Sequence, residues 1–79
     1  MDNDLRRFQY ACVLARSPHR HDRQESILHL EYLISNSPDY LRDSLYQLAT
    51  VRYLLHDYEA SRNCAEELCR IDPDNQQVK

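Results

Sequence analysis

Two histidines flank an arginine and precede an aspartate in the run PHRHD, residues 18–22, and a His-x-His spacing is where metal chemistry is first sought. A zinc site needs three or four convergent protein ligands. Here His19, His21 and Asp22 lack a further convergent partner, and their neighbours Arg16, Arg20 and Arg23 read as a solvated basic edge. The thiols offer no better chemistry. Cys64 and Cys69 stand five apart, nearer a turn and a half of helix than one turn, so they point away from each other and do not bridge. Cys64 reads as a core residue and Cys12 as one that looks into a groove. No nucleophile, base and orienting group stand together, and a chain with no glycine has no loop to cradle a phosphate. Neither catalysis nor a metal or other cofactor is expected.

The elements that would position any site are helices. The chain has 79 residues, 42% of them hydrophobic and 29% charged, and its zero glycines disfavour tight hairpins. A net charge of −3 gives no basic sheath for a nucleic-acid backbone, so protein partners are expected instead. Three cysteines, an odd number, fit a reducing compartment rather than a disulfide scaffold. The longest apolar runs are a few residues, too short to span a bilayer.

Leu5, Phe8, Cys12 and Ala15, with Ala11 and Leu14 beside them, form the stripe of a first amphipathic helix that ends near Ser17, before Pro18. Asp22 is the expected N-cap of a second helix through Ile27, Leu30, Leu33 and Ile34. Ser37 as N-cap and Pro38 in the first helical position open a third helix. Its buried stripe is Leu41, Leu45, Leu48 and Leu55, and Tyr46, Thr50 and Tyr53 make a second face. A fourth helix, capped by Asp57, runs from about Tyr58 to Ile71 and is expected to bury Ala65, Leu68 and Ile71. Residues 74–79 read as the start of a short fifth, capping helix.

The chain repeats itself. Leu14 and Ala15 fall on Leu48 and Ala49 at a separation of 34; Ser26, Glu31, Leu33 and Pro38 fall on Ser61, Glu66, Leu68 and Pro73 at 35. A helix–turn–helix unit of about 34 residues is the period of the tetratricopeptide repeat. Small residues at Ala49 and Ser61 suit a close helix approach, and Arg52 stands where that pattern usually has Tyr. The fold expected is therefore all-α: a single domain over 1–79 made of two tandem tetratricopeptide-like hairpins in an α-α superhelix, repeat 1 over about 3–36 and repeat 2 over about 38–72.

In such a stack the first helices of successive repeats line a concave groove able to hold a peptide. The candidate partner-binding residues are Gln9, Cys12 and Arg16 from the first repeat and Asp43, Tyr46, Gln47, Thr50, Tyr53 and Leu54 from the second. Tyr46 and Tyr53 stand two turns apart, joined by Thr50. Open apolar faces at the outer helices also predict self-association. Two other readings fit the repeat: a co-chaperone-like module gripping a C-terminal carboxylate, which Asp43 would repel, and a fragment of a larger solenoid.

The segments FQYACVLARS (8–17), ILHLEYL (27–33), RDSLYQLATVRYLLHDYE (42–59) and DPDNQQVK (72–79) resemble the mitochondrial fission 1 protein family. The resemblance runs over nearly the whole chain from Phe8 onward. It implies an adaptor on the cytosolic face of the mitochondrial outer membrane, and of peroxisomes, that recruits a dynamin-related GTPase directly or through a bridging protein. The family's N-terminal arm, final capping helix and membrane tail fall outside these 79 residues, so a membrane would be reached only through such a tail.

Overall fold

The structure, a computed structural model, describes residues 3–71. They form four α-helices: α1 (Asn3–Arg16), α2 (Arg20–Asn36), α3 (Leu41–Leu54) and α4 (Tyr58–Ile71), with a 3-10 turn at Pro38–Tyr40 leading into α3. No strand occurs among the described residues. The architecture is all-α, two tetratricopeptide-like hairpins in tandem. The main packing runs α1 against α2, α3 against α4 and α2 against α3, with a thinner seam between α1 and α3. The expected fifth helix lies outside the described residues.

Small side chains set the spacing of the core. Ala11, Ala15, Leu30, Leu48 and Val51 form one buried cluster, with Phe8, Ile27, Ile34, Leu55 and Cys64 packed on it. Leu30 and Leu33 are wholly shielded from solvent, and burying a leucine stabilises the fold by about 1.5–3 kcal/mol. Phe8 stacks on Tyr40 at 5.5 Å between ring centroids, which ties α1 to the 3-10 turn of the second repeat. The small residue at Ser61 serves a close contact: its hydroxyl donates to the Ala49 carbonyl at 2.8 Å, joining α4 to α3.

Several expectations need correction. Asp22 is not the N-cap of α2; His19 holds that position, and the Asp22 carboxylate inside the first turn accepts a 2.7 Å bond from Ser17. The Ser17 hydroxyl also accepts the His19 N–H at 3.1 Å, which ties the loop to the helix start, but no side chain caps α2. Pro38 opens a 3-10 turn rather than α3 itself. On α1 the buried stripe is Ala11, Leu14 and Ala15, while Leu5 is exposed and Cys12 half-buried. Val51, absent from the expected stripe of α3, is fully buried. Ala65 and Ile71 are exposed, because α4 packs mainly on α3 and keeps only Leu68 buried.

The α3–α4 connection turns without glycine. His56 takes the left-handed conformation at φ 68°, the Asp57 N–H reaches the Arg52 carbonyl at 2.8 Å and the His56 N–H reaches the Tyr53 carbonyl at 2.9 Å. This pair of bonds is the Schellman closure of a helix C-terminus. Asp57 then caps α4, its carboxylate accepting the Ala60 N–H at 3.4 Å.

Candidate functional site: the groove between α1 and α3

The two first helices of the hairpins meet along the thinner α1–α3 seam; of the nine candidate residues, three lie on α1 and six on α3. Cys12 is half-buried on α1. Burial pushes its thiol above the usual value, while the Arg16 guanidinium pulls it down and the Asp43 carboxylate raises it further. Arg16 is on α1 and Asp43 on α3, so the fold brings all three groups into one electrostatic neighbourhood. Gln9 is exposed one turn before Cys12, and Gln47 is half-buried on α3.

Tyr46 on α3 is 57% exposed. Its backbone carbonyl accepts the Thr50 hydroxyl at 3.1 Å, so Thr50 satisfies its own polar group within α3. Tyr53 and Leu54 lie toward the C-terminal end of α3, both exposed. Tyr53 packs edge-on to Tyr58 of α4 at 5.2 Å and lines a shallow concavity with Tyr58, Ser61, Arg62 and Ala65. The structure therefore gathers Cys12, Arg16 and Asp43, sets Tyr46 exposed on the same helix as Asp43, and turns Tyr53 toward α4.

The basic run between α1 and α2 is partly committed to the fold. Arg23 donates to the Ser17 carbonyl at 2.9 Å, whereas His19, Arg20 and His21 are exposed. Among the described residues no group of three or more His, Cys, Asp or Glu side chains stands close enough to hold a metal ion.

One cluster escaped the sequence reading. On the α1–α2 hairpin Arg7 donates to His29 Nδ1 at 3.1 Å and lies over the Tyr32 ring at 3.9 Å, and Tyr10 packs edge-on to His29 at 5.2 Å while its hydroxyl donates to Glu25 at 3.4 Å. An arginine only donates, so His29 accepts at Nδ1 and carries its proton on Nε2, 3.8 Å from Glu25. The Glu25 carboxylate beside Tyr10 holds its phenol above the usual range. The i, i+4 spacing of Glu25 and His29 and the i, i+3 spacing of Arg7 and Tyr10 were the available signals. This cluster locks the first hairpin and stands apart from the groove.

Among the described residues no helix is long and apolar enough to cross a membrane. The Fis1 C-terminal tetratricopeptide repeat family matches residues 42–79. Mitochondrial fission 1 proteins of Mus musculus and Homo sapiens are each 34% identical to the chain over 73 residues, covering 91% of it and 48% of their own length. That of Eremothecium gossypii is also 34% identical over 73 residues, covering 92% of this chain and 47% of its own length. The chain spans about half the length of the curated relatives it matches.

Proposed function

Because this chain belongs to the mitochondrial fission 1 protein family, we propose that it acts as a binding adaptor in mitochondrial fission, at the outer membrane and without catalysis of its own. It presents the α1–α3 groove to a segment of a protein partner. The observation that supports this reading is Tyr46, exposed on α3, the helix that also carries Asp43, whose carboxylate acts together with Arg16 of α1 on the Cys12 thiol. Exposed aromatics next to unshielded charges suit a protein interface, where tyrosine and arginine are favoured contacts. The partner proposed is a dynamin-related GTPase, engaged directly or through a bridging protein; service at peroxisomes belongs to the same proposal.

The test is direct binding. The purified 79-residue chain is immobilised and challenged with a purified dynamin-related GTPase, alone and with its bridging protein. Binding is expected for the unaltered chain and for Leu28→Ala, which changes an exposed residue of α2 away from the groove. Loss of binding in Tyr46→Ala supports the reading; binding that survives Tyr46→Ala combined with Tyr53→Ala refutes it.

A further inference from the structure

Two arginines near the start of α1 carry charge that the fold does not neutralise. Arg6 is exposed and Arg7 half-buried, and among the described residues neither has an ion-pair partner. Arg52 and Arg70, by contrast, are each paired with a carboxylate. The neighbouring acids are engaged or turned elsewhere. Asp4 stands in the helical stripe of Phe8 and Ala11, which α1 turns to the core. Glu25 accepts from the Tyr10 hydroxyl at 3.4 Å and approaches Nε2 of His29, whereas Arg7 holds the other ring nitrogen.

Arg7 is held in place by the first hairpin alone. Its guanidinium donates to His29 Nδ1 at 3.1 Å and lies over the Tyr32 ring at 3.9 Å, so one N–H group and one face are used and the rest of the donor fork stays available. Asn3, Arg6, Arg7, Tyr10 and His29 line one open hollow on this hairpin. Two cations and the Asn3 carboxamide therefore border a single space. The hollow does not use the α1–α3 groove, whose α1 residues Gln9, Cys12 and Arg16 lie along another face of the helix.

We propose that this hollow is a phosphate-binding site, and that it takes a phosphoserine or phosphothreonine of a protein partner between Arg6 and Arg7. A phosphomonoester carries about two negative charges and three strong acceptor oxygens. Two guanidinium groups balance that charge, and their remaining N–H groups with the Asn3 amide supply the donors. A carboxylate would leave one of the two cations unanswered. A bilayer surface is the poorer fit: attraction to anionic lipid comes from clusters of several Lys and Arg, while here two arginines stand on a chain of net charge −3 with Glu25 close by. Tyr10 and Tyr32, both exposed beside the arginines, offer the residues flanking the phosphate an aromatic surface. The site is separate from the groove, so phosphorylation of a partner would add a contact there without altering the one proposed above.

The experiment follows the amide resonances of the isotope-labelled 79-residue chain by NMR during titration with N-acetyl-O-phosphoserine methylamide. The serine and aspartate analogues serve as controls. Saturable shifts are expected within Asn3–Tyr10 and at His29 and Tyr32, with a dissociation constant on the order of 1 mM. The serine analogue should give none, and the aspartate analogue should bind on the order of tenfold more weakly. Arg6→Gln and Arg7→Gln are each expected to weaken phosphoserine binding about tenfold. Arg6→Gln removes an exposed side chain, so a loss there is not a loss of folding, which circular dichroism confirms for both variants. Arg20→Gln, an exposed arginine of the α2 start, should bind as the unaltered chain does. No saturable shift at these residues, equal binding of the aspartate analogue, or binding that survives the double variant would each overturn the site. Co-sedimentation with vesicles of phosphatidylcholine and phosphatidic acid in equal parts, lost in Arg6→Gln while the phosphoserine analogue fails to bind, would overturn the protein partner in favour of a lipid headgroup. The GTPase test of the groove turns on Tyr46 and is independent of all these results.

Discussion

Arg52 on α3 donates to Glu31 on α2 at 2.8 Å, with Asp57 on the other side of its guanidinium at 3.6 Å. The position where the repeat pattern usually has a tyrosine thus holds a cation that joins the second helix of one repeat to the first helix of the next. Glu31 is half exposed, so solvent screens the pair and its contribution is modest. Replacing Arg52 by Ala is expected to lower stability by at most about 1 kcal/mol. A double-mutant cycle with Glu31→Gln, measured by urea unfolding at low and high salt, should give a coupling that shrinks as salt is added.

The Ser61 contact with the Ala49 carbonyl makes a sharper demand. Ser61→Ala removes one hydrogen bond and keeps the close approach, so a loss of about 0.5–1.5 kcal/mol is expected. Ser61→Leu forces α4 away from α3 and should cost about 1–3 kcal/mol or more. Equal unfolding midpoints for the two variants would mean that the hairpin does not depend on a small residue there.

Leu30 and Leu28 lie two positions apart on α2 with opposite fates, the first fully buried and the second 67% exposed. Leu30→Ala should cost about 2–5 kcal/mol, a large share of a stability that amounts to about 0.1 kcal/mol per residue. Leu28→Ala should stay within about 0.5 kcal/mol. Thermal unfolding followed by circular dichroism separates the two.

His56 carries the left-handed turn that a glycine would adopt without steric cost. His56→Gly is expected to raise stability by up to about 1 kcal/mol, offset in part by loss of the His56 contact to the Tyr58 hydroxyl at 2.8 Å. His56→Val, β-branched at a positive φ, should destabilise the α3–α4 hairpin clearly. A histidine variant series read by chemical denaturation orders them.

What the sequence made legible is the repeated part. The 34-residue offset, the prolines at the repeat boundary and the small residues at Ala49 and Ser61 specify two hairpins, because helix periodicity and close approach are both written in residue size. The errors fall where neighbours decide. Ala65 and Ile71 look like core residues on a helical wheel, but their exposure depends on which element covers that side of α4, and periodicity within α4 cannot say. Asp22 looked like a cap by residue type, but α2 starts at Arg20 with His19 at its N-cap, which leaves Asp22 inside the first turn, where its carboxylate accepts from Ser17. Turn chemistry was invisible for a further reason: without glycine to mark it, the left-handed residue is a histidine. For the groove, helical spacing grouped nine residues, but Tyr53 turns to Tyr58, a partner on α4 that spacing along α3 does not reveal.

The thiols give the fold a pH dependence of fixed sign. Cys12 and Cys64 both lie above the ordinary value of 9.0, chiefly through burial; at Cys64 the Arg52 guanidinium opposes this, and the Glu31 and Asp57 carboxylates add to it. The unfolded chain therefore releases these protons first, and the folded form holds them longer. Stability from this source is fully present below pH 9 and is lost as pH rises through 9 and then through the folded values. Tyr10, raised by Glu25, acts in the same direction at higher pH. The urea midpoint is expected to be level in this respect up to about pH 8 and to fall toward pH 10. Cys12→Ala with Cys64→Ala should flatten the first part of that fall; an unchanged slope would show that the folded thiols ionise no later than the unfolded ones.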